Sequence, residues 1–211
     1  MKLAIIGAAG RVGRGVVAEA LARGHDVTAV VRRRSQLTDL SKRARGAVAD
    51  AAKAESMATV AEGQDVMILA TRSPRASVEE TVSVTEAALG GAGRAGARLL
   101  VVGGAAVLRT PNGGRVLDDE RYLPEAYRSA GLASAAQLEA CRGEPRTDWA
   151  YLCPPAELAP GERTGRFRRG VDRLIVDPEG RSRISMEDLA VAVLDEAERP
   201  SHHRSCFTVG Y

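Results

Sequence analysis

The sequence begins with a short apolar run that leads directly into a cluster of glycines. Residues 3–6 have the length and the β-branched content of a buried strand. Gly7, Gly10 and Gly13 follow, and apolar residues recur at helical spacing through residues 11–22. A second apolar run at 26–31 predicts another strand. A strand, a glycine turn, a helix and a strand within about 30 residues are typical of a parallel βαβ unit.

The glycine spacing is G-x-x-G-x-x-G, a variant of the commonest dinucleotide-binding pattern. Gly7 permits a tight turn, Gly10 allows a pyrophosphate to approach the backbone, and Gly13 allows the helix to pack against the strand. Free N–H groups and the helix dipole favour an anion at this helix N-terminus. The motif therefore predicts dinucleotide binding at Gly7, Ala9, Gly10, Arg11, Val12 and Gly13.

A second glycine triplet with the same spacing tests how much the pattern means by itself. Gly90, Gly93 and Gly96 follow a helical segment and precede a predicted strand at 98–102. No predicted strand leads into them and no helix opens after them, so the context of a phosphate site is missing. We interpret this triplet as a flexible connection between helix and strand.

The end of the second predicted strand bears on the choice of cofactor. Arg32, Arg33 and Arg34 stand there, about 20 residues past the glycines, where NAD-selective domains carry an acid that binds the ribose. An arginine instead offers a charged, bidentate fork to a 2′-phosphate. The pattern favours NADP(H) over NAD(H), with Arg32 and Arg33 as ligands. The alternative is that these arginines form a solvated turn.

The rest of the chain repeats the alternation of strand and helix. Further strands are predicted at 47–49, 65–70, 98–102, 149–152 and 207–209, and helices at 52–62, 76–89, 133–141 and 186–198. This alternation indicates an α/β fold with a Rossmann-type doubly wound parallel sheet. We expect residues 1–211 to form one NAD(P)-binding domain with a small C-terminal segment on the substrate side.

Three stretches outside these elements carry separate predictions. Residues 109–131 read as a long mixed loop, of a length that is often functional. Residues 174–176 are expected to return through a turn to Ile184 as a small β-hairpin. His202 and His203 are adjacent, so their side chains diverge, which predicts solvated loop residues and no metal site.

Residues that follow the predicted strands are expected to line the ligand cleft, because doubly wound sheets bind ligands beyond the carboxyl ends of their strands. Asp50 follows the third strand, where it either meets the adenine edge or caps the next helix. Ala70 and Thr71 end the fourth strand. The predicted cleft residues at these strand ends are Asp50, Ala51, Ala70, Thr71, Gly103 and Pro154.

Composition excludes several other classes of function. The net charge is only +3, 30 basic residues are interleaved with 27 acids, and aromatic residues make up 3%, which argues against nucleic-acid binding. No run approaches the roughly 18 apolar residues of a membrane span, and the start lacks the pattern of a signal peptide. Three unpaired cysteines fit a reducing compartment. We expect a cytoplasmic monomer or homodimer that acts on a small molecule.

Several motifs along nearly the whole chain carry a family resemblance. They are G-A-A-G-R-V-G, V-V-R-R-R, V-V-G-G-A-A-V-L, D-W-A-Y-L-C-P-P, P-G-E-R-T-G-R-F, R-I-S-M-E-D-L-A and F-T-V-G-Y. Together they resemble the NAD(P)H-binding, NmrA-like branch of the atypical short-chain dehydrogenases. That resemblance implies a flavin, quinone or biliverdin-IX-β reductase-like enzyme, a redox-sensing regulator or an epimerase.

The chain departs from the carbonyl-reducing members of that superfamily. Those enzymes use a Tyr-x-x-x-Lys pair, and here lysine occurs only at positions 2, 42 and 53, never four residues after a tyrosine. Serines that the resemblance implies at two strand ends are replaced by Val107 and Cys153. The remaining hydroxyl-bearing candidates for the catalytic site are Thr71, Ser73, Tyr122 and Tyr127.

A site that is poor in acids and bases suits hydride transfer to an acceptor that delocalises the incoming charge. We therefore expect an NADPH-dependent oxidoreductase that reduces a flavin, a quinone or an enone. One alternative is a non-catalytic regulatory protein that senses NADPH. Another is an epimerase or isomerase of a biosynthetic pathway, although such an enzyme usually needs a positioned base.

Overall fold

The computed structural model describes residues 1–71 and 77–211. Its strands are β1 Lys2–Ile6, β2 Asp26–Val31, β3 Arg45–Val48, β4 Val66–Leu69, β5 Arg98–Val102, β6 Trp149–Cys153, β7 Glu157–Ala159, β8 Arg168–Gly170, β9 Arg183–Ser185 and β10 Ser205–Gly210. Its α-helices are α1 Arg11–Ala22, α2 Ala54–Ala61, α3 Val78–Ala95, α4 Arg128–Arg142 and α5 Met186–Glu198. None of these helices combines the length and the apolar character needed to cross a membrane.

An eight-stranded sheet lies at the centre of the part of the chain that the structure describes. Its strand order is β3-β2-β1-β4-β5-β6-β10-β8, and of these pairs only β10 with β8 is antiparallel. A small second sheet pairs β7 with β9 in parallel. This topology confirms the predicted Rossmann-type doubly wound fold.

Helices cover both faces of the sheet, which explains why β4 is apolar at every position and why the inner strands are mostly apolar. In β1, Leu3 and Ile5 pack towards α1 and α5, while Ala4 and Ile6 pack towards α2, α3 and α4. Leu3, Ala4 and Ile5 are 0% exposed and Ile6 is 2% exposed. Two apolar layers, one on each face, therefore form the core.

The second glycine triplet is not the flexible connection that the sequence predicts. Gly90 and Gly93 lie inside α3, and Gly96 ends this helix in the left-handed conformation with φ 68°. A neighbouring residue, Gly91, must be glycine because α3 packs closely on α2. A Cβ at Gly91 would lie 2.6 Å from the carbonyl oxygen of Met57.

The predicted hairpin between 174–176 and Ile184 is also wrong. The turn itself forms, because the Asp177 N–H donates to the Arg181 carbonyl oxygen at 2.9 Å. The strands around it have other partners: β9, which contains Ile184, pairs with β7, and the Leu174 N–H donates to the Arg109 carbonyl oxygen at 2.8 Å. Long-range pairing therefore overrides the local turn.

The predicted loop at 109–131 is shorter and more ordered than expected. It contains 3₁₀ helices at Val116–Asp118 and Glu125–Tyr127, and α4 begins at Arg128. Val116 is 0% exposed and packs in the layer of α2, α3 and α4. Burial of Val116 and Leu117 therefore anchors the middle of this stretch to the core, while most of its other residues stay exposed or partly exposed.

His202 is not a solvated loop residue. Its Nδ1 atom lies 2.8 Å from Glu196 Oε2, and its ring stacks on Phe207 with the centroids 4.3 Å apart. His203 is exposed, as predicted, and its Nδ1 atom lies 3.0 Å from Asp148 Oδ2. The two adjacent rings do diverge, but only one of them faces solvent.

Candidate cofactor site

A cavity of about 400 Å³ lies at the carboxyl ends of β1, β2, β3 and β4. The strand order reverses between β1 and β4, and doubly wound sheets bind their ligands at such a switch point. The predicted site residues that line the cavity are Gly7, Ala9, Gly10, Arg32, Asp50, Ala51, Ala70 and Thr71. Residues that follow four separate strands thus meet at one cavity.

The glycine loop leaves its backbone open towards a ligand. The hydrogen-bond ladder of α1 begins with the Arg14 N–H donating to the Gly10 carbonyl oxygen at 2.9 Å. The N–H groups of the first turn therefore have no acceptor within the helix. Gly10 is the N-cap, no side chain among the described residues caps α1, and its first turn contains no acid. These donors and the helix dipole suit an anion such as a pyrophosphate.

Close packing requires glycine at two positions of this loop. Gly7 has a φ of 86°, and a Cβ there would lie 2.7 Å from the carbonyl oxygen of Ala70. A Cβ at Gly13 would lie only 2.1 Å from the carbonyl oxygen of Gly7. Any larger residue at Gly13 would push α1 away from β1 and widen the site.

The wall at the ends of β2 and β3 brings together a cation, an amide and an acid. Arg32, Gln36 and Asp50 all line the cavity there. Gln36 was not predicted from the sequence; its side-chain oxygen accepts from the Arg33 N–H at 3.0 Å, which caps the short 3₁₀ helix Arg34–Asp39 that follows β2. A nucleotide sugar and base need donors and acceptors of these kinds.

Asp50 does not cap the following helix. Its carboxylate accepts a hydrogen bond from the Ala52 N–H at 3.2 Å, and α2 begins at Ala54, with Lys53 as its N-cap residue. The helix-cap prediction for Asp50 is therefore wrong. Its place in the cavity wall fits the other expectation, contact with the adenine edge.

The opposite wall comes from the first turns of α3, which sequence reasoning missed. Glu80, Thr81 and Val84 line the cavity on this side. A reciprocal cap holds this end of the helix: the Glu80 N–H donates to Ser77 Oγ at 3.1 Å, and the Ser77 N–H donates to Glu80 Oε2 at 3.3 Å. The signal in the sequence is the S-x-x-E pattern just after the fourth strand.

The other predicted cofactor ligands do not line the cavity. They are Arg11, Val12 and Gly13 in the first turn of α1, Arg33 just beyond β2, and Gly103 and Pro154 at the ends of β5 and β6. Arg11 and Arg33 are exposed, whereas Gly103 and Pro154 are buried.

The catalytic candidates are scattered. Thr71 lines the cavity directly beyond β4, and Ser73 lies outside the described residues. Tyr122 packs against the apolar layer of α2, α3 and α4, with the Arg121 guanidinium 5.5 Å from its ring centroid. Tyr127 is 57% exposed at the start of α4. Of the candidates that the structure describes, Thr71 is the one in the cavity wall.

The segment that contains P-G-E-R-T-G-R-F is tied to α1 and α5. Arg163 donates two hydrogen bonds of 2.7 Å to the carboxylate of Glu19, and this contact, with Arg23, lowers the pKa of Glu19 to about 2. Asp188 accepts from Thr164 Oγ1 at 2.5 Å and from the Gly165 N–H at 2.7 Å. These buried carboxylates hold the segment against the helix that carries the glycine loop.

Comparison with known proteins places the chain in a family. The NAD(P)H-binding family matches residues 7–200. The uncharacterized protein YwnB of Bacillus subtilis (strain 168) is 33% identical over 221 residues, with 99% of this chain and 98% of that protein covered.

Solved structures agree over the full length. A Burkholderia pseudomallei structure, provisionally named an exported protein, is 38% identical with a TM-score of 0.89, and both chains are covered to 100%. A structure from Streptococcus pneumoniae TIGR4, provisionally named an NADH-flavin reductase, is 28% identical with a TM-score of 0.85, covering 100% of this chain and 99% of that one. The chain belongs to the NAD(P)H-binding family.

Proposed function

We propose that this protein binds NADPH in the strand-end cavity and reduces a conjugated acceptor such as a flavin, a quinone or an enone. The observation that carries the proposal is one wall that joins the open glycine loop at Gly10 to Arg32 at the end of β2. That arrangement suits a dinucleotide whose pyrophosphate and 2′-phosphate are both anionic. The bound nicotinamide supplies a hydride.

Arg32 supports NADPH over NADH. It is exposed and lines the cavity at the end of β2, where NAD-selective domains place an acid. The nearest acid in that wall, Asp50, is already engaged by the Ala52 N–H. A charge-assisted hydrogen bond from arginine to a phosphate contributes about 1.5–3 kcal/mol, enough to decide between the two cofactors.

The residues around the cavity support an acceptor that needs no strong acid. The chain has no Tyr-x-x-x-Lys pair, and the hydroxyl groups in the described wall belong to Thr71 and to Thr81, which already donates to the Ser77 carbonyl oxygen at 2.9 Å. Conjugated acceptors spread the incoming charge over several atoms, so solvent or a weak hydroxyl donor suffices for protonation. The Streptococcus pneumoniae relative named an NADH-flavin reductase supports the same class of acceptor.

The test is NADPH oxidation by the purified protein with a panel of acceptors. FMN, a simple quinone and a cyclic enone are the conjugated substrates, and the saturated ketone that corresponds to the enone is the matched control. We expect turnover with at least one conjugated acceptor and none with the ketone. Equal turnover of ketone and enone would contradict the acceptor class. Tight NADPH binding without any oxidation would favour the sensing role instead.

We also propose a cytoplasmic location, where NADPH and reduced thiols occur together. All three cysteines, Cys141, Cys153 and Cys206, are free thiols. Fractionation of cells that express the full-length protein, followed by immunoblotting of the cytosolic and secreted fractions, checks this. Recovery in the secreted fraction would contradict a cytoplasmic location.

A further inference from the structure

Cys206 and Cys153 lie on neighbouring strands and face the same side of the sheet. β10 runs parallel to β6, with Cys206 opposite Tyr151 and Thr208 opposite Cys153. Because side chains alternate along a strand, the two cysteines share a face and are offset by two residues. The Cys153 thiol lies 4.0 Å from the carbonyl oxygen of Tyr151 on its own strand, to which it donates a long hydrogen bond.

The groups that face Cys206 favour its thiolate. The neighbouring Cys153 thiol and the positive charge of Arg142, on α4, outweigh burial and the negative charge of Asp172, and they lower the pKa of Cys206 to about 6. The neighbouring Cys206 and burial raise the pKa of Cys153. At neutral pH the pair therefore consists of one thiolate and one thiol.

The two cysteines also differ in their exposure to solvent. Cys206 is partly exposed, so a small oxidant reaches it, whereas Cys153 is 0% exposed. The third cysteine, Cys141, is also 0% exposed, and burial raises its pKa to about 12. A thiolate that solvent reaches is the form of cysteine that reacts with a dissolved oxidant, whereas a buried neutral thiol such as Cys141 does not.

We propose that Cys206 is a peroxide-reactive thiol and that Cys153 resolves its oxidised form as an intramolecular disulfide. The Cys206 thiolate attacks one peroxide oxygen, the O–O bond breaks, and the departing hydroxide takes a proton to become water. The Cys153 sulfur, after losing its proton to the sulfenic oxygen, then attacks the Cys206 sulfur. The S–O bond breaks and a second water leaves, so two thiols lose two electrons to one peroxide.

Closing this disulfide requires a small movement of the strand. Parallel strands lie about 4.8 Å apart, and an offset of two residues adds about 6.6 Å along the strand, so the two Cα atoms are roughly 8 Å apart, whereas a disulfide spans about 4.4–6.8 Å. β10 is the strand that can move, because only the short strand β8 lies beyond it. The oxidised protein should therefore lose protection of backbone amides in β10 and β8.

Alkylation identifies the reactive thiol. The rate of iodoacetamide labelling at each cysteine is measured against pH by peptide mass spectrometry in the wild type, with Cys141→Ala as the matched control and Cys206→Ala as the test variant. We expect labelling of Cys206 to titrate near pH 6, to be unchanged in Cys141→Ala and to disappear in Cys206→Ala. Labelling of Cys206 that titrates at or above about pH 8.5, the value of an ordinary thiol, would overturn the proposal.

Peroxide treatment tests the resolving step. After a stoichiometric dose of hydrogen peroxide, non-reducing peptide mapping of the wild type should show one linked peptide pair that contains Cys153 and Cys206. In Cys153→Ala the reaction should stop at a sulfenic acid on Cys206 that dimedone traps. If Cys206 of the wild type stays reduced, or accumulates as sulfenic or sulfinic acid, then Cys153 does not resolve it and the proposal is wrong.

Discussion

The ring of Tyr151 lies directly against the backbone of Gly103. A Cβ at Gly103 would stand only 1.9 Å from Tyr151 Cζ, so no other residue fits at this position without displacing the ring. The Tyr151 hydroxyl donates to the Ser134 carbonyl oxygen at 3.0 Å and lies 3.2 Å from Gln137 Oε1. Through this side chain, the end of β5 and the helix α4 hold each other in place.

Gly103→Ala should destabilise the protein by about 1–3 kcal/mol, because the added methyl group must displace a fully buried ring. Urea unfolding followed by circular dichroism measures the change. Gly90→Ala is the matched control: it lies inside α3 with open space around its position, and alanine there should stabilise by up to about 1 kcal/mol. Equal stability of both variants would show that Tyr151 moves without cost.

Glu196 should make stability depend on acid pH. Its side chain is 0% exposed and its Oε1 atom lies 2.8 Å from Arg98 Nη2; against the cost of burial, Arg98 and His202 lower its pKa from 4.5 to about 2. A lowered pKa means that the contribution to stability is fully present above pH 4.5 and is lost as pH falls towards 2. Converted at about 1.4 kcal/mol per pH unit, the loss is on the order of 3 kcal/mol.

Glu196→Gln tests this dependence. The free energy of unfolding should fall by up to about 3 kcal/mol at neutral pH, because Arg98 loses its fully buried charged partner and keeps the partly exposed Asp148, and it should vary less between pH 5 and 2.5 than that of the wild type. Glu179→Gln removes an exposed partner of Arg181 and should cost less than about 1 kcal/mol. Parallel pH curves for wild type and Glu196→Gln would assign the acid sensitivity to other carboxylates.

Arg32→Ala should weaken NADPH binding by about 10- to 150-fold and leave NADH binding nearly unchanged, because only NADPH carries the 2′-phosphate. Fluorescence titration of both cofactors gives the two dissociation constants. Arg34→Ala is the control, since Arg34 is exposed and does not line the cavity. An equal loss of affinity for NADPH and NADH would show that Arg32 does not bind the 2′-phosphate, as expected if it belongs to a solvated turn.

Thr71→Val should lower kcat/KM for the best conjugated acceptor by about 2- to 10-fold, the effect of losing one hydrogen-bond donor. Thr71→Ser, which keeps the hydroxyl, should retain most of the activity. Steady-state kinetics with saturating NADPH measure both variants, and cofactor titration checks that binding is unchanged. Full activity of Thr71→Val would show that the Thr71 hydroxyl donates no hydrogen bond or proton that the reaction needs.

The features that the sequence predicted best are those whose partners lie close along the chain. Residues 2–31 form the expected βαβ unit, and α1 spans the predicted 11–22. The last helix begins after Ser185, as expected, with the Asp188 N–H donating to Ser185 Oγ at 3.0 Å. In each case, residue spacing and capping chemistry act within a few turns, so the local pattern contains enough information.

The errors came from partners far apart in sequence. The turn after Val176 formed as predicted, but β9 paired with β7 instead of returning to residues 174–176. His202 became partly buried because Glu196 and Phe207 meet it from α5 and β10. A local pattern shows that a turn or a polar pair is present, and distant chain segments decide what packs against it.

The sequence by itself determined the class of fold, the glycine loop and the arginine at the end of β2, because strand, turn and helix signals act over short distances. Only the tertiary structure decided which wall completes the cavity, where Glu80 and Thr81 of α3 join Asp50 and Arg32. It also decided that Tyr151 fills the space at Gly103 and that Cys206 lies beside Cys153. These contacts depend on the order of the strands and the distances between layers, which residue spacing does not encode.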